Sequence, residues 1–323
     1  MYHRYYGLRE APFELTPNPK FLYLTQQHRE ALSNLEYGLS SAKAVTVLIG
    51  EAGTGKTTLL KAALASERCK DVNCVFVSNP ALTRTEFVET LAQRFELGEA
   101  ASKSKAILLK ELETILKERR NGGQITALLV DEAQTLSVEL LEEVRLLANI
   151  ETASEKLLPL VLAGQPELAG RLNDPSLRQL KQRIALRCEL RPFSLAETAT
   201  YIAMRIRTAG GEASRLFTRE AVMAIHEHSR GIARTVSVIC DNALVSGMAL
   251  GKQPVGQEIV LEVCRDFDFS QATVLSSDVE LPDDAEAADA GGPIDDEGAE
   301  VSTEDVKDGV AGRIIRPLGL GRR

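Results

Sequence analysis

Glycine, lysine and threonine fall at the spacing G-x-x-x-x-G-K-[ST] in Gly50-Glu51-Ala52-Gly53-Thr54-Gly55-Lys56-Thr57-Thr58, the pattern of a loop that cradles phosphate. Glycines at 50, 53 and 55 open backbone dihedrals closed to other residues. Successive N–H groups can then turn inward around an anion at the positive end of the next helix. In such a loop Lys56 reaches the β- and γ-phosphates and the Thr57 hydroxyl ligates Mg²⁺. The flanks suit it: residues 44–49 read as a buried strand and Leu59 to Arg68 as a helix. A nucleotide-binding protein is expected.

A second group sits at the end of Ala127-Leu128-Leu129-Val130-Asp131-Glu132, an apolar strand that delivers two carboxylates to its C-terminal edge, where open α/β sheets bind ligands. This is a Walker B arrangement. Asp131 would complete the Mg²⁺ shell with Thr57, and Glu132 would orient the water that attacks the γ-phosphate. The second acid favours a hydrolase over a small-molecule kinase, which must keep water away. Gln165, closing Leu162-Ala163-Gly164-Gln165, is a candidate to sense the γ-phosphate, or simply the opening residue of a helix. Arg234 starts a helix, where a cation is disfavoured unless an anion faces it; bound nucleotide is one such partner. Arg183, with Arg178 as its rival, is a candidate arginine finger for a neighbouring subunit's nucleotide.

The elements needed to hold these groups follow in order. Residues 73–77 read as a second strand, a capping box at Thr83 and Glu86 opens a helix to about Phe95, and Lys105 to Arg120 is strongly helical. Residues 126–130 form a third strand, Ser137 to Ile150 a helix, and residues 157–163 a fourth strand with Pro159 near its start. Strands alternating with helices imply a parallel sheet covered on both faces. From about Arg191 the pattern is helical only, with helices opened by Ser194 and Thr218 and a third from about Ala233 to Leu250. Beyond about Ser270 the chain is rich in Asp, Glu, Ala, Gly and Pro and is expected to be disordered. Its basic and apolar end, residues 313–323, is a candidate docking peptide.

The 323 residues carry a net charge of −8, and residues 271–323 alone hold 13 acidic against 5 basic side chains. The remainder is therefore neutral, which gives no global electrostatic case for nucleic acid. No apolar run reaches the ~18 residues of a membrane span and the N-terminus lacks a signal-peptide core, so a cytoplasmic protein is expected. Five scattered cysteines and four histidines form no metal-ligand pattern, and the cysteines read as reduced thiols.

Taken together, the phosphate loop, Asp131-Glu132-Ala133-Gln134, residues 161–168, the segment Leu177 to Ile184 and Gly231-Ile232-Ala233-Arg234 resemble the ExeA/GspA-type AAA+ ATPases, as does the opening block from Tyr6 to Leu32. The resemblance covers residues 1 to about 265. It implies a P-loop NTPase fold of the AAA+ class, with a three-layer α/β/α core around a parallel sheet and a helical lid. Residues 1–40 would line the adenine side, 41–190 form the core, 191–268 the lid and 269–323 the acidic tail. It further implies ATP and Mg²⁺ as ligands, Gln165 as sensor 1, Arg234 as sensor 2 and a homo-oligomeric ring. The setting would be a bacterial secretion, pilus or exopolysaccharide export system at the inner membrane. Two departures stand out: the family usually has Pro at position 233 and Asn at 237, here Ala and Ser. Its secretion members also carry a transmembrane helix and a peptidoglycan-binding region after the lid, so the soluble relatives are the closer analogy. A DNA-associated ATPase resembling the transposition regulators is the alternative, disfavoured by the charge balance.

Overall fold

The computed structural model describes residues 2–16, 19–78 and 82–269; the acidic tail and the candidate docking peptide lie outside them. Five strands, β1 (Val45–Gly50), β2 (Val72–Val77), β3 (Ile125–Val130), β4 (Leu160–Gly164) and β5 (Ile184–Leu190), form one sheet in the order β2-β3-β4-β1-β5. Every pairing is parallel, with Val45 opposite both Leu160 and Ile184. Parallel strands need crossovers, and helices supply them on both faces. Val47, Val75, Leu128 and Leu162 pack against the helices Arg84–Arg94, Lys105–Asn121 and Val138–Leu147. Leu48, Leu129 and Val161 pack against Gln26–Ser40 and Lys56–Leu64 on the other face. The three-layer core is thus the expected one.

Local chemistry accounts for where the elements start. Thr83 and Glu86 form a complete capping box, as do Ser194 and Glu197, each satisfying helix N–H groups that have no partner within the helix. The fourth strand begins at Leu160 and not at Leu157. Pro159 has no N–H to give to a ladder, and its carbonyl instead accepts from Leu128 N at 3.0 Å, just ahead of the strand. The helix expected to reach Arg68 ends at Leu64 and a short 3₁₀ turn, Glu67–Cys69, takes its place.

After β5 the chain builds a helical lid from Leu195–Thr208, Arg219–Ser229, Ala233–Ala249 and Gln257–Asp266, with a short turn of helix at Ala213–Leu216. The segment 1–40 is shared between two environments. Tyr2, Tyr6, Leu8, Phe13 and Phe21 are buried in the lid's apolar core, and the Tyr2 hydroxyl donates to the Asp241 carboxylate. The buried Arg205 of the lid donates from Nε to Pro12 O at 2.6 Å and from Nη2 to Glu14 O at 3.2 Å. Residues 26–40, in contrast, belong to the sheet's flank. All five cysteines are free thiols.

Candidate nucleotide site

The phosphate loop leaves the C-terminal end of β1 and enters the helix Lys56–Leu64. Gly53 and Gly55 sit at φ +84° and +99°, the left-handed region that side chains disfavour. Thr54 closes the turn by donating from Oγ1 to Glu51 O at 2.8 Å. Lys56 is buried, and its ammonium donates to the carbonyls of Gly50 and Glu51 at 2.8 and 3.1 Å. Burial pulls the Lys56 pKa below its ordinary value, with the Glu132 and Asp131 charges working the other way.

Strand β3 lies two places from β1, yet its end meets the loop: Thr57 Oγ1 donates to Asp131 Oδ2 at 2.7 Å. The other Asp131 oxygen, Oδ1, accepts from Glu132 N at 3.0 Å. Glu132 itself has φ +54°, an uncommon value for a residue with a side chain. Its carboxylate accepts from Gln134 Nε2 at 2.6 Å and from Gln165 Nε2 at 3.3 Å. The Gln134 hydrogen bond, ahead of the opposing effect of burial, holds the Glu132 carboxyl below the usual carboxylate range.

The lid completes the site. Gly231, at φ +72°, accepts at its carbonyl from the Phe193 N–H at 2.8 Å, and a Cβ there would collide with Phe193 O. That close approach aims the helix Ala233–Ala249 at the phosphate loop, where Arg234 N donates to Gly53 O at 3.1 Å. Ser237, one turn on, donates to Ala233 O at 3.1 Å and lies 2.7 Å from the Tyr201 hydroxyl. Between lid and loop runs a cleft of about 460 Å³ whose walls include Lys56, Thr57, Glu132, Tyr23, Phe193 and Arg234. Tyr23, Phe193 and Tyr201 form an aromatic cluster with ring centroids 5.3–6.0 Å apart, an apolar wall beside a polar floor.

Most sequence-named residues converge here, and one does not. Lys56, Thr57, Asp131, Glu132, Gln165 and Arg234 gather at the C-terminal edge of the sheet. Arg183 precedes Ile184, which pairs with Val45, whereas Gly50 pairs with Leu190. It therefore stands at the opposite edge, roughly 20 Å from its own phosphate loop at ~3.3 Å per residue. A fifth strand, Ile184–Leu190, separates it from the lid. Arg178 is exposed on a short helix, Arg178–Lys181. Two residues missed in the sequence also belong to the site. His28 is buried against the loop, its Nε2 3.2 Å from Thr54 O and its Nδ1 2.7 Å from Thr25 Oγ1. Gln134, in the sequence only the last residue of the Asp131-Glu132-Ala133-Gln134 motif, hydrogen-bonds both Glu132 and Gln165.

Known proteins bear on this geometry. The model of the AAA domain family matches residues 39–172. General secretion pathway protein A of Aeromonas hydrophila is 38% identical over 255 residues, 79% of this chain and 46% of that protein, so the chain spans about half the length of the curated relative it matches. The ADPNP–ADP complexes of the Aeropyrum pernix ORC2 protein superpose with a TM-score of 0.59 at 16% identity, over 83% of this chain and 73% of that one. Cdc6p from Pyrobaculum aerophilum gives 0.58 at 18% identity, over 79% and 70%. At these identities the two structures share the fold alone, whereas the 255 residues matched by the secretion protein reach into the lid. The chain belongs to the ExeA/GspA-type AAA+ family.

Proposed function

We propose that the chain is an ATP-hydrolysing AAA+ module that works with Mg²⁺ and whose cycle drives or switches assembly of a bacterial cell-envelope export system. The observation that carries the chemical half is the 2.7 Å bond from Thr57 to Asp131, with Glu132 next in the chain and Lys56 beside it. A hydroxyl and a single carboxylate are hard oxygen donors suited to Mg²⁺, which takes its remaining ligands from water and phosphate. When bound, Mg²⁺ would neutralise charge on the β- and γ-oxygens.

The residues of the chain do the rest. The loop N–H groups and Lys56 hold the phosphates, and Glu132, kept ionised by its hydrogen bonds, orients the attacking water and polarises it. Gln165 meets the γ-phosphate as sensor 1, and Arg234 brings the lid's charge to the nucleotide as sensor 2. Arg183 acts on the nucleotide of another copy, which calls for a ring. Its place at the far edge of the sheet supports that assignment. The export role rests on the likeness to general secretion pathway protein A. No helix among the described residues is long and apolar enough to cross a membrane. ATP turnover per subunit, measured across protein concentrations with Glu132→Gln as the blank, tests the reading. Turnover that climbs with concentration and vanishes in the variant supports a ring-forming ATPase, and none at any concentration overturns hydrolysis.

A further inference from the structure

Gln134 occupies the centre of a network that joins both polar strand ends. Its Nε2 donates to Glu132 Oε2 at 2.6 Å, and its Oε1 accepts from Gln165 N at 3.0 Å. Its main-chain carbonyl accepts from the Arg171 guanidinium at the end of the helix Pro166–Arg171. The fit is close, since a Cβ on Gly164 would lie 2.9 Å from Gln134 Oε1. One amide thus ties the backbone after β4 to the carboxylate after β3, and Arg171 fixes the residue that carries it.

The Gln165 side chain is the less committed partner. Its Nε2 reaches the same Glu132 oxygen at 3.3 Å, longer than a good N–H···O bond, against 2.6 Å for Gln134. An amide shared between a carboxylate and an incoming phosphate goes to the phosphate only if the carboxylate is satisfied without it, because an unpaired half-buried carboxylate is costly. We propose that Gln134 is a positioning residue for Glu132, fixing its carboxylate so that the Gln165 amide can leave it for the γ-phosphate of bound nucleotide. Gln134 then governs two things at once: where Glu132 points, and how well the site tells a triphosphate from a diphosphate. The inference deepens the reading of Glu132 and Gln165 given above and rests on it.

Gln134→Met keeps the length and removes both side-chain hydrogen bonds. In the full chain with Mg²⁺, its affinity for ADP should stay within about twofold of the parent's, which also reports that the site is folded. Its affinity for ADPNP and its kcat should each fall about tenfold, the loss of roughly one hydrogen bond to a charged group, with the KM for ATP rising with the ADPNP dissociation constant. Gln165→Met should lose the same preference for ADPNP, and in ADPNP affinity the double variant should be no worse than Gln165→Met alone. Parental ADPNP affinity in Gln134→Met, or strictly additive losses of ADPNP affinity in the double variant, would overturn the proposal. If the methionine variant does not fold, Gln134→Asn, whose amide falls short of Glu132, gives the same comparison. A parent chain that binds both nucleotides but never turns over ATP would defeat the hydrolysis reading, and the binding ratios would still decide the role of Gln134.

Discussion

The Arg234 main-chain N–H donates to the Gly53 carbonyl at 3.1 Å, so lid and phosphate loop touch backbone to backbone. No side chain separates them. Gly53 can make that contact because it lacks a Cβ: one built there would lie 2.8 Å from Arg234 Cβ and 3.0 Å from Ile232 Cγ2.

Gly53→Ala should therefore strain the loop and push the lid away together. The left-handed backbone alone costs about 1–2 kcal/mol for a residue with a side chain, and the collision adds to it. The expected result is a loss of about 2 kcal/mol in urea unfolding and an ADP affinity lowered at least about tenfold, read by titration calorimetry.

Ala233 offers the opposite experiment. It is the first residue of its helix, where a missing N–H does no harm, and the preceding Ile232 has φ −75° and ψ 115°, a conformation allowed before proline. Ala233→Pro, the residue the family usually has, should stabilise the folded chain by about 0.4–1 kcal/mol through the unfolded state. A rise in the denaturation midpoint with unchanged ADP affinity would bear this out, and a fall would show that position 233 needs its N–H.

His28 links stability to pH. Burial lowers its pKa below the ordinary 6.5, outweighing the Thr54 carbonyl and the Glu197 charge. The unfolded chain thus takes the proton first as pH falls. The contribution of neutral His28 is fully present above about pH 6.5 and is lost as pH drops from there through the lower folded value. The midpoint of thermal unfolding should decline between pH 7 and 5, and His28→Asn should flatten that part of the curve.

Arg183 can be assigned by complementation. Arg183→Ala and Glu132→Gln should each abolish most turnover alone while binding ADP normally. Mixed in equal amounts they should recover about a quarter of parental turnover, because in a ring one interface in four pairs an intact Glu132 with an intact Arg183. Arg178→Ala run in parallel should keep near-parental turnover by itself if Arg183 is the finger, and a mixture of Arg183→Ala with Glu132→Gln that shows no recovery would remove the trans assignment.

The sheet and the two strand-end motifs were legible because their signals are local: apolar runs of strand length followed by glycines, acids or an amide at the binding edge. Strand β5 was not read, although Ile184, Leu186, Cys188 and Leu190 alternate with Ala185, Arg187 and Glu189. That period of two marks a half-covered edge strand, but the segment is short and is interrupted by charged residues. The role of Gln134 left no such trace, since it depends on Glu132 turning at φ +54° and on which strand lies beside β3. His28 was visible only as one histidine on a helix. The division of residues 1–40 between lid and sheet was equally hidden, because alternation and capping report what a segment forms and not which surface it covers.

The anchoring of Tyr2 on Asp241 has a consequence for biosynthesis. Tyr2 leaves the ribosome long before Asp241, its partner 239 positions later in the lid. Until then Tyr2, Tyr6 and Phe13 remain without the core they were built for, a long-range closure of the kind that slows folding and leaves nascent chains in need of protection. Replacing Tyr2 by alanine would consequently be felt 239 positions away, in how firmly the lid holds together.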